Sequence, residues 1–387
     1  MMKRALMTVG LAATLAPLVQ AADVKPLQWY DKMTLKGDVR LRGEYIDKED
    51  DPTRWRPRIR ARARIEAKVT STIKAAIGLR TGGSDPVSGN QSLGNAFSSK
   101  EFMLDLAYVD WSPAAVDGLS FIGGKIEKPW VMVGDLVWDG DLNPEGAVVK
   151  FNPTFDSVQL LVNAGGFMVE ERHKSNAKYS KGQIHSTDAD TTLGTGQIGI
   201  KMKASDTMYL LAAGSMYFYQ NMADYATLQS TSSGFGNSTV TATNSSGSAV
   251  KFYKNDYHLM EALAEFGFAC PLTDYPVRLF GNYVQNTEPD SDNKGFMLGL
   301  QYGSLKNPGD LMFGYDYRKL EKDAVVGAMT DSDSFGGGTD GQGHKLQAGY
   351  QIAKNWSLGA TYFIDEIAIS STKKDYQRVQ LDLSAKF

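Results

Sequence analysis

Leu35-Lys36-Gly37-Asp38-Val39-Arg40-Leu41-Arg42-Gly43-Glu44-Tyr45 is the stretch that decides the fold. Its odd positions hold Leu, Gly, Val, Leu, Gly and Tyr, and its even positions hold Lys, Asp, Arg, Arg and Glu. A helix, with a period of about 3.6 residues, would mix the two classes around its circumference, whereas a strand places them on opposite faces. One face suits an apolar surrounding and the other suits water.

The same alternation recurs toward the C-terminus. Ile198, Ile200 and Met202 oppose Gln197, Lys201 and Lys203. Phe296, Leu298, Leu300 and Tyr302 oppose Met297, Gly299, Gln301 and Gly303. Leu311, Phe313, Tyr315 and Tyr317 oppose Asp316 and Arg318, and Leu346, Ala348, Tyr350 and Ile352 oppose Lys345, Gln347 and Gln351. In the last segment Val379, Leu381, Leu383, Ala385 and Phe387 oppose Arg378, Gln380, Asp382, Ser384 and Lys386. Such segments, from 33–46 to 376–387, amount to roughly sixteen strands, an even number as bacterial barrels require.

The connections alternate short and long. Val69-Thr70-Ser71-Thr72, Asn152-Pro153-Thr154, Ala204-Ser205-Asp206, Pro271-Leu272-Thr273-Asp274, Asn307-Pro308-Gly309 and Ala353-Lys354-Asn355 are built from turn-forming residues. Between them lie long polar stretches at 82–99, 172–191, 221–256 and 321–342. The Ser/Thr-rich part of the third, 227–249, reads as a mobile external loop. A β-sandwich has no reason to keep this phase, and the blade repeat of a propeller is missing. The pattern predicts an all-β fold: a transmembrane antiparallel up-and-down β-barrel with short periplasmic turns and long external loops.

The N-terminus agrees. Met1-Met2-Lys3-Arg4 precedes an apolar run from Ala5 through Val19, followed by Gln20-Ala21-Ala22. A basic start, a short apolar stretch and a small-residue cleavage site read as a Sec signal peptide over 1–21, leaving a barrel over 22–387. A membrane anchor is the weaker alternative, because the run carries Pro17 and falls short of the roughly 20 residues of a spanning helix. Loss of Lys3 and Arg4 takes the formal net charge from −3 to −5. That acidity, with a sequence pI near 5.9, argues against nucleic acid as a partner. Cys270 is the only cysteine, so an intrachain disulfide is excluded. Aromatic residues are plentiful, with 18 Tyr, 17 Phe and 6 Trp. Tyr45, Trp55, Tyr108, Trp111, Trp356, Tyr362 and Tyr376 are expected in girdles at the membrane interfaces.

The sharpest local feature is Arg54-Trp55-Arg56-Pro57-Arg58-Ile59-Arg60-Ala61-Arg62-Ala63-Arg64. On a strand, Arg54, Arg56, Arg58, Arg60, Arg62 and Arg64 share one face. Lipid rejects that face, so it should line the lumen. Arg40, Arg42, Lys74 and Arg80 on neighbouring segments extend this basic wall, with Asp38 and Glu44 among them. Such a wall attracts anions or holds a transverse field; the blander reading is that it keeps the lumen wet. A candidate for the opposing charge is the third external loop, 128–146. It is more apolar than the other long loops, with Trp130, Val131, Val133, Leu136, Val137 and Trp138, yet carries Asp135, Asp139, Asp141 and Glu145. The mix predicts a loop folded into the barrel with its acids toward the passage. Packing on the rim or at an oligomer contact is the alternative.

The segment Trp138-Asp139-Gly140-Asp141-Leu142-Asn143-Pro144-Glu145-Gly146, after a signal peptide and an early arginine-rich strand, resembles the family of putative porins. In layout the resemblance covers nearly all the mature chain, although the specific motif is one short segment. It implies a sixteen-stranded channel of the Gram-negative outer membrane for passive diffusion of small hydrophilic solutes or anions. It further implies an inward third loop whose acids face some of Arg40, Arg42, Arg58, Arg60, Arg62 and Arg80, and a homotrimer. Outer-membrane lipid, lipopolysaccharide and the barrel-assembly machinery follow as partners. The terminal Phe387 resembles the signal that machinery reads. The density of arginine on one strand departs from cation-preferring general porins and points toward anion preference. No cofactor or metal is expected. His173, His185, His258 and His344 lack metal-ligand spacing, and the fragments around Asp290 and Asp331 lack a calcium loop's full ligand set. A barrel enzyme needs a nucleophile–base pair that the inward residues do not suggest. An enzyme and a non-conducting adhesin barrel remain the alternatives to a channel.

Overall fold

The computed structural model describes residues 29–387, so the expected signal peptide at 1–21 lies outside the described residues. Sixteen strands form the wall. They are β1 (Met33–Lys48), β2 (Arg54–Lys68), β3 (Ile73–Thr81), β4 (Phe102–Trp111), β5 (Leu119–Lys125) and β6 (Glu145–Phe151). Then come β7 (Val158–Glu170), β8 (Thr191–Lys203), β9 (Tyr209–Gln220), β10 (His258–Ala269) and β11 (Pro276–Asn286). The last are β12 (Lys294–Gly303), β13 (Leu311–Leu320), β14 (Gly341–Ala353), β15 (Trp356–Ile367) and β16 (Lys374–Lys386). Each pairs antiparallel with its sequence neighbours, and β1 pairs with both β2 and β16, which closes the barrel. Closure gives every wall strand a hydrogen-bonded neighbour on both sides, as a wall in lipid requires. Gly37 exchanges backbone hydrogen bonds of 2.9 and 3.0 Å with Phe387 at the seam.

The two parities separate as the alternation demands. On β1, Leu35 and Leu41 are 60% and 49% exposed, while Arg42 and Glu44 are 6% and 0% exposed. Outward Ile77, Ile198, Leu298 and Leu381 continue the apolar belt around the wall. A soluble protein does not show so extensive an apolar band to water; lipid is its natural surrounding. No helix among the described residues is long and apolar enough to cross a membrane.

The turn residues behave as expected. Asp274, Gly309 and Asn355 adopt φ of 58°, 92° and 65° in their turns, a region that Gly, Asn and Asp tolerate. These turns gather at one end of the barrel with both of its terminal strand ends, and the long connections gather at the other.

Tyr45, Trp55, Trp111 and Trp356 lie outward, whereas two of the expected girdle residues do not. Tyr108 shares the inward parity of Leu106 and Asp110, and its hydroxyl accepts a hydrogen bond from Arg64 at 2.5 Å. Tyr376, on the parity of Arg378, is 4% exposed and packs over Gly336. Their strand parity, and not their aromatic character, sets their direction.

Two of the connections read as polar and external also differ. In the 221–257 connection, Thr239–Thr243 pairs with Ala249–Tyr253, and Leu228 and Phe252 are buried. In the 321–340 connection, Ala324 and Val325 are fully buried. Both join residues 126–144 in one apolar cluster that also takes inward side chains such as Phe167, Tyr217, Val284 and Met297. The cause is volume. A barrel of this strand number is too wide for its wall side chains to fill, so infolded loops fill half of it. The run Ala324-Val325-Val326-Gly327-Ala328-Met329 supplies the apolar surface for this burial.

Candidate functional site

The filled half of the interior lies against β6–β13, and the charged half lies against β1–β3 and β14–β16. Register builds the charged half. β1 and β2 pair so that Arg40 lies opposite Arg60 and Arg42 opposite Arg58, flanked by Asp38 opposite Arg62 and Glu44 opposite Arg56. On the other side Arg42 lies opposite Asp382. Like charges directly opposite are destabilising, so this register needs carboxylates among the guanidiniums.

Those carboxylates come from the wall and from two loops. Asp38 binds Arg60 at 3.0 Å and Arg62 at 2.7 Å. Asp141 reaches in from the third loop to the same two arginines, at 3.2 and 3.3 Å. Glu44 is shared by Arg56, Arg58 and Arg378. Asp382 binds Arg42 at 2.7 Å and lies 3.9 Å from Arg40. Asp333, from the 321–340 loop, meets Arg42 at 3.3 Å and Arg378 at 2.8 Å. Around Glu44, Asp333 and Asp382 five guanidiniums therefore share three carboxylates. Asn90, from the 82–101 connection, accepts from Arg40 at 2.7 Å through its side chain.

The third loop crosses the interior. Gln197 on β8 bonds both the amide and the carbonyl of Val131, at 2.8 and 3.0 Å. Trp130 and Trp138 pack tilted against each other with ring centroids 4.8 Å apart, and both meet Tyr217 of β9 edge-on. Lys128 ties the returning arm by donating to the carbonyls of Asp139, Gly140 and Leu142. Gly124, with φ of 124°, is the penultimate residue of the strand before this loop; a Cβ there would overlap the Ala107 carbonyl of β4.

The four acids predicted for this loop go to different places. Only Asp141 meets the arginine stripe. Burial opposes its ionisation, but Arg60 and Arg62 hold its carboxyl below the ordinary range. Asp135 binds Arg318 at 2.7 Å and Lys345 at 3.0 Å, on β13 and β14 away from the stripe. Those two cations outweigh burial and hold it well below the usual value. Asp139 accepts from the amides of Asp141 and Ser332 and faces Asp331; burial and then that neighbour push it up to about 8. Glu145 is exposed, shares the outward parity of Ala147 and Val149, and binds Lys125 at 2.7 Å. It opens β6 instead of lying in the loop, which removes it from the interior.

Among the predicted basic residues, Arg54 stands exposed at the rim where β2 begins. Arg64 lies nearer the turns, against Glu66 and Glu127. Lys74 binds Asp110 at 2.9 Å and Arg80 binds Asp105 at 2.9 Å. Sequence reading missed Arg378, Asp382, Arg318 and Lys345, although each stands on an inward parity that the alternation already marks. It also missed Asp331 and Asp333, whose loop was read as solvated. No group of three or more His, Cys, Asp or Glu among the described residues is placed to hold a metal ion.

A closed sixteen-stranded barrel with an apolar belt, a charged interior and an infolded third loop defines a porin-type barrel. The chain belongs to the family described as "Putative porin", whose model matches residues 45–281 and 273–387. No curated protein matches the chain. Among solved structures it is similar to OprB of Pseudomonas putida, at 12% identity and a TM-score of 0.57, covering 92% of this chain and 94% of that one. It is also similar to OmpF of Salmonella typhi, solved in complex with daunomycin, at 12% identity and a TM-score of 0.52, covering 92% and 97%. A trimer form of OmpT, an outer membrane protein of Vibrio cholerae, matches at 12% identity and a TM-score of 0.50, covering 92% and 100%. At such identities these likenesses carry the fold alone.

Proposed function

We propose that the protein is a passive diffusion channel for small hydrophilic solutes, with a preference for anions set by the arginine wall. The observation that carries the preference is the sharing of three carboxylates by five guanidiniums around Glu44. Close to β1, β2 and β16 this leaves positive charge uncompensated. A low-dielectric enclosure with an excess of one sign raises the local concentration of the opposite ion.

The path runs along the stripe, because the apolar loop cluster occupies the other half of the interior. From Arg54 to Arg64 the strand advances about 33 Å, at roughly 3.3 Å per residue, which at the roughly 40° tilt of barrel strands rises about 25 Å, the height of the apolar band of such barrels. An anion is passed from one guanidinium to the next while neighbouring carboxylates keep it from binding too tightly to leave. This interior of paired guanidiniums and carboxylates supports a diffusion path over a catalytic centre or a sealed adhesin.

The test is the triple replacement of Arg58, Arg60 and Arg62 by Gln, read as the chloride-to-potassium permeability ratio in planar bilayers. A fall of several-fold is expected. An unchanged ratio in a folded, conducting variant contradicts the role given to the stripe.

A further inference from the structure

On the turn side of the third loop a cavity of about 330 Å³ lies between the inner faces of β2–β6 and the first residues of that loop. That is at the lower end of the roughly 300–1,000 Å³ of small-molecule sites. It is open to the interior and has two kinds of wall. Ala76, Ile122, Ile126 and Pro129 give it apolar surface, and Arg64, Glu66, Lys74, Asp110, Glu127, Lys128 and Lys150 give it charge.

The charges do not all cancel. Arg64 is held by Glu66 at 2.8 Å and Glu127 at 2.5 Å. Lys74 is held by Asp110 at 2.9 Å. Lys128 is spent on loop carbonyls. Lys150 differs. It stands on the inward parity of β6, half-buried between Ser120 of β5 and Asn163 of β7. Among the described residues no ion pair or hydrogen bond ties its ammonium. An ammonium with three donors and no acceptor, confined beside isoleucine side chains, complements a carboxylate carried on a short apolar body.

We propose that this cavity is a binding subsite for small monocarboxylates, with Lys150 holding the carboxylate and Ile122, Ile126 and Ala76 seating the apolar portion. The proposal rests on the channel reading for how the solute arrives, but the binding itself does not require conduction. A solute leaving the arginine wall past Arg64 meets Lys150, a cation that no ion pair holds among the described residues, with Asp110 and Glu127 in the same cavity. The subsite then favours carboxylates with an apolar end over inorganic anions of equal charge.

Benzoate is the probe, with benzyl alcohol as its neutral counterpart and the full-length protein in detergent as the target. Saturation-transfer NMR should show benzoate binding that falls at least five-fold in Lys150→Met and returns in Lys150→Arg, while benzyl alcohol gives little signal throughout. Equal benzoate binding by wild type and Lys150→Met overturns the subsite, as does absence of binding by wild type. If Lys150→Met does not fold, Lys150→Gln replaces it under the same criterion. Bilayer recordings separate the two claims. Conduction without Lys150-dependent binding leaves the channel standing and removes the subsite. Lys150-dependent binding by a folded but non-conducting protein does the reverse.

Discussion

Asp139 shows how a single residue in this interior carries two demands. Its carboxylate oxygens accept the amides of Asp141 and Ser332, which join the third loop to the 321–340 loop, yet it is buried facing Asp331. Burial first and Asp331 second raise its pKa to about 8, so the folded loops hold its proton more tightly than an unfolded chain does. Stability from this group is present at low pH and is lost as pH rises through about 8. The loop junction should therefore loosen progressively from about pH 4, where the opened chain begins to ionise this group, and level off above about pH 8. Proteolysis of the 321–340 loop should quicken over that window, and Asp139→Asn should flatten the dependence. A pH-independent cleavage rate in the wild type would contradict the assignment. Asp141, two residues on, behaves oppositely because Arg60 and Arg62 face it. The sequence gives these two acids the same appearance. What separates them is which distant group each meets.

At the scale of the element, the strands and most turns were legible because alternation is local: period two needs only the strand's own residues. The arginine stripe was legible for the same reason. Its partners were only partly so. Asp38 and Glu44 are near it in sequence, but Asp333 reaches Arg42 across 291 residues. The infolding of the third loop followed from its tryptophans, whereas the 321–340 loop was misread because its glycines and acids outweighed its short apolar run. The loops are held mainly by apolar packing. Trp138, 2% exposed against Trp130, Tyr217 and Tyr219, is the anchor. Trp138→Ala should cost the loop cluster about 3–5 kcal/mol, as large-to-small core replacements do. The hydrogen-bonded wall should persist. Larger, noisier single-channel currents with an unchanged heat-modifiable gel shift are expected. A shift lost together with the current would show that the loop supports the wall itself.

For the whole molecule, the balance lies between a closed wall and a half-filled interior. The wall is fixed by pairing from β1 round to β16 and back, with outward apolar residues that only lipid satisfies. The interior splits into an apolar side, closed by loops, and an arginine side whose carboxylates come partly from those same loops. Asp141 and Asp333 so bind the filling to the arginine wall, and in the proposed channel the same contacts would set size limit and charge preference together. The most direct measurement is the zero-current potential of the purified wild-type protein in a planar bilayer under a KCl gradient. The account predicts stable open channels whose potential has the sign set by chloride. A potential of the sign set by potassium, or no conductance from demonstrably folded protein, would contradict it.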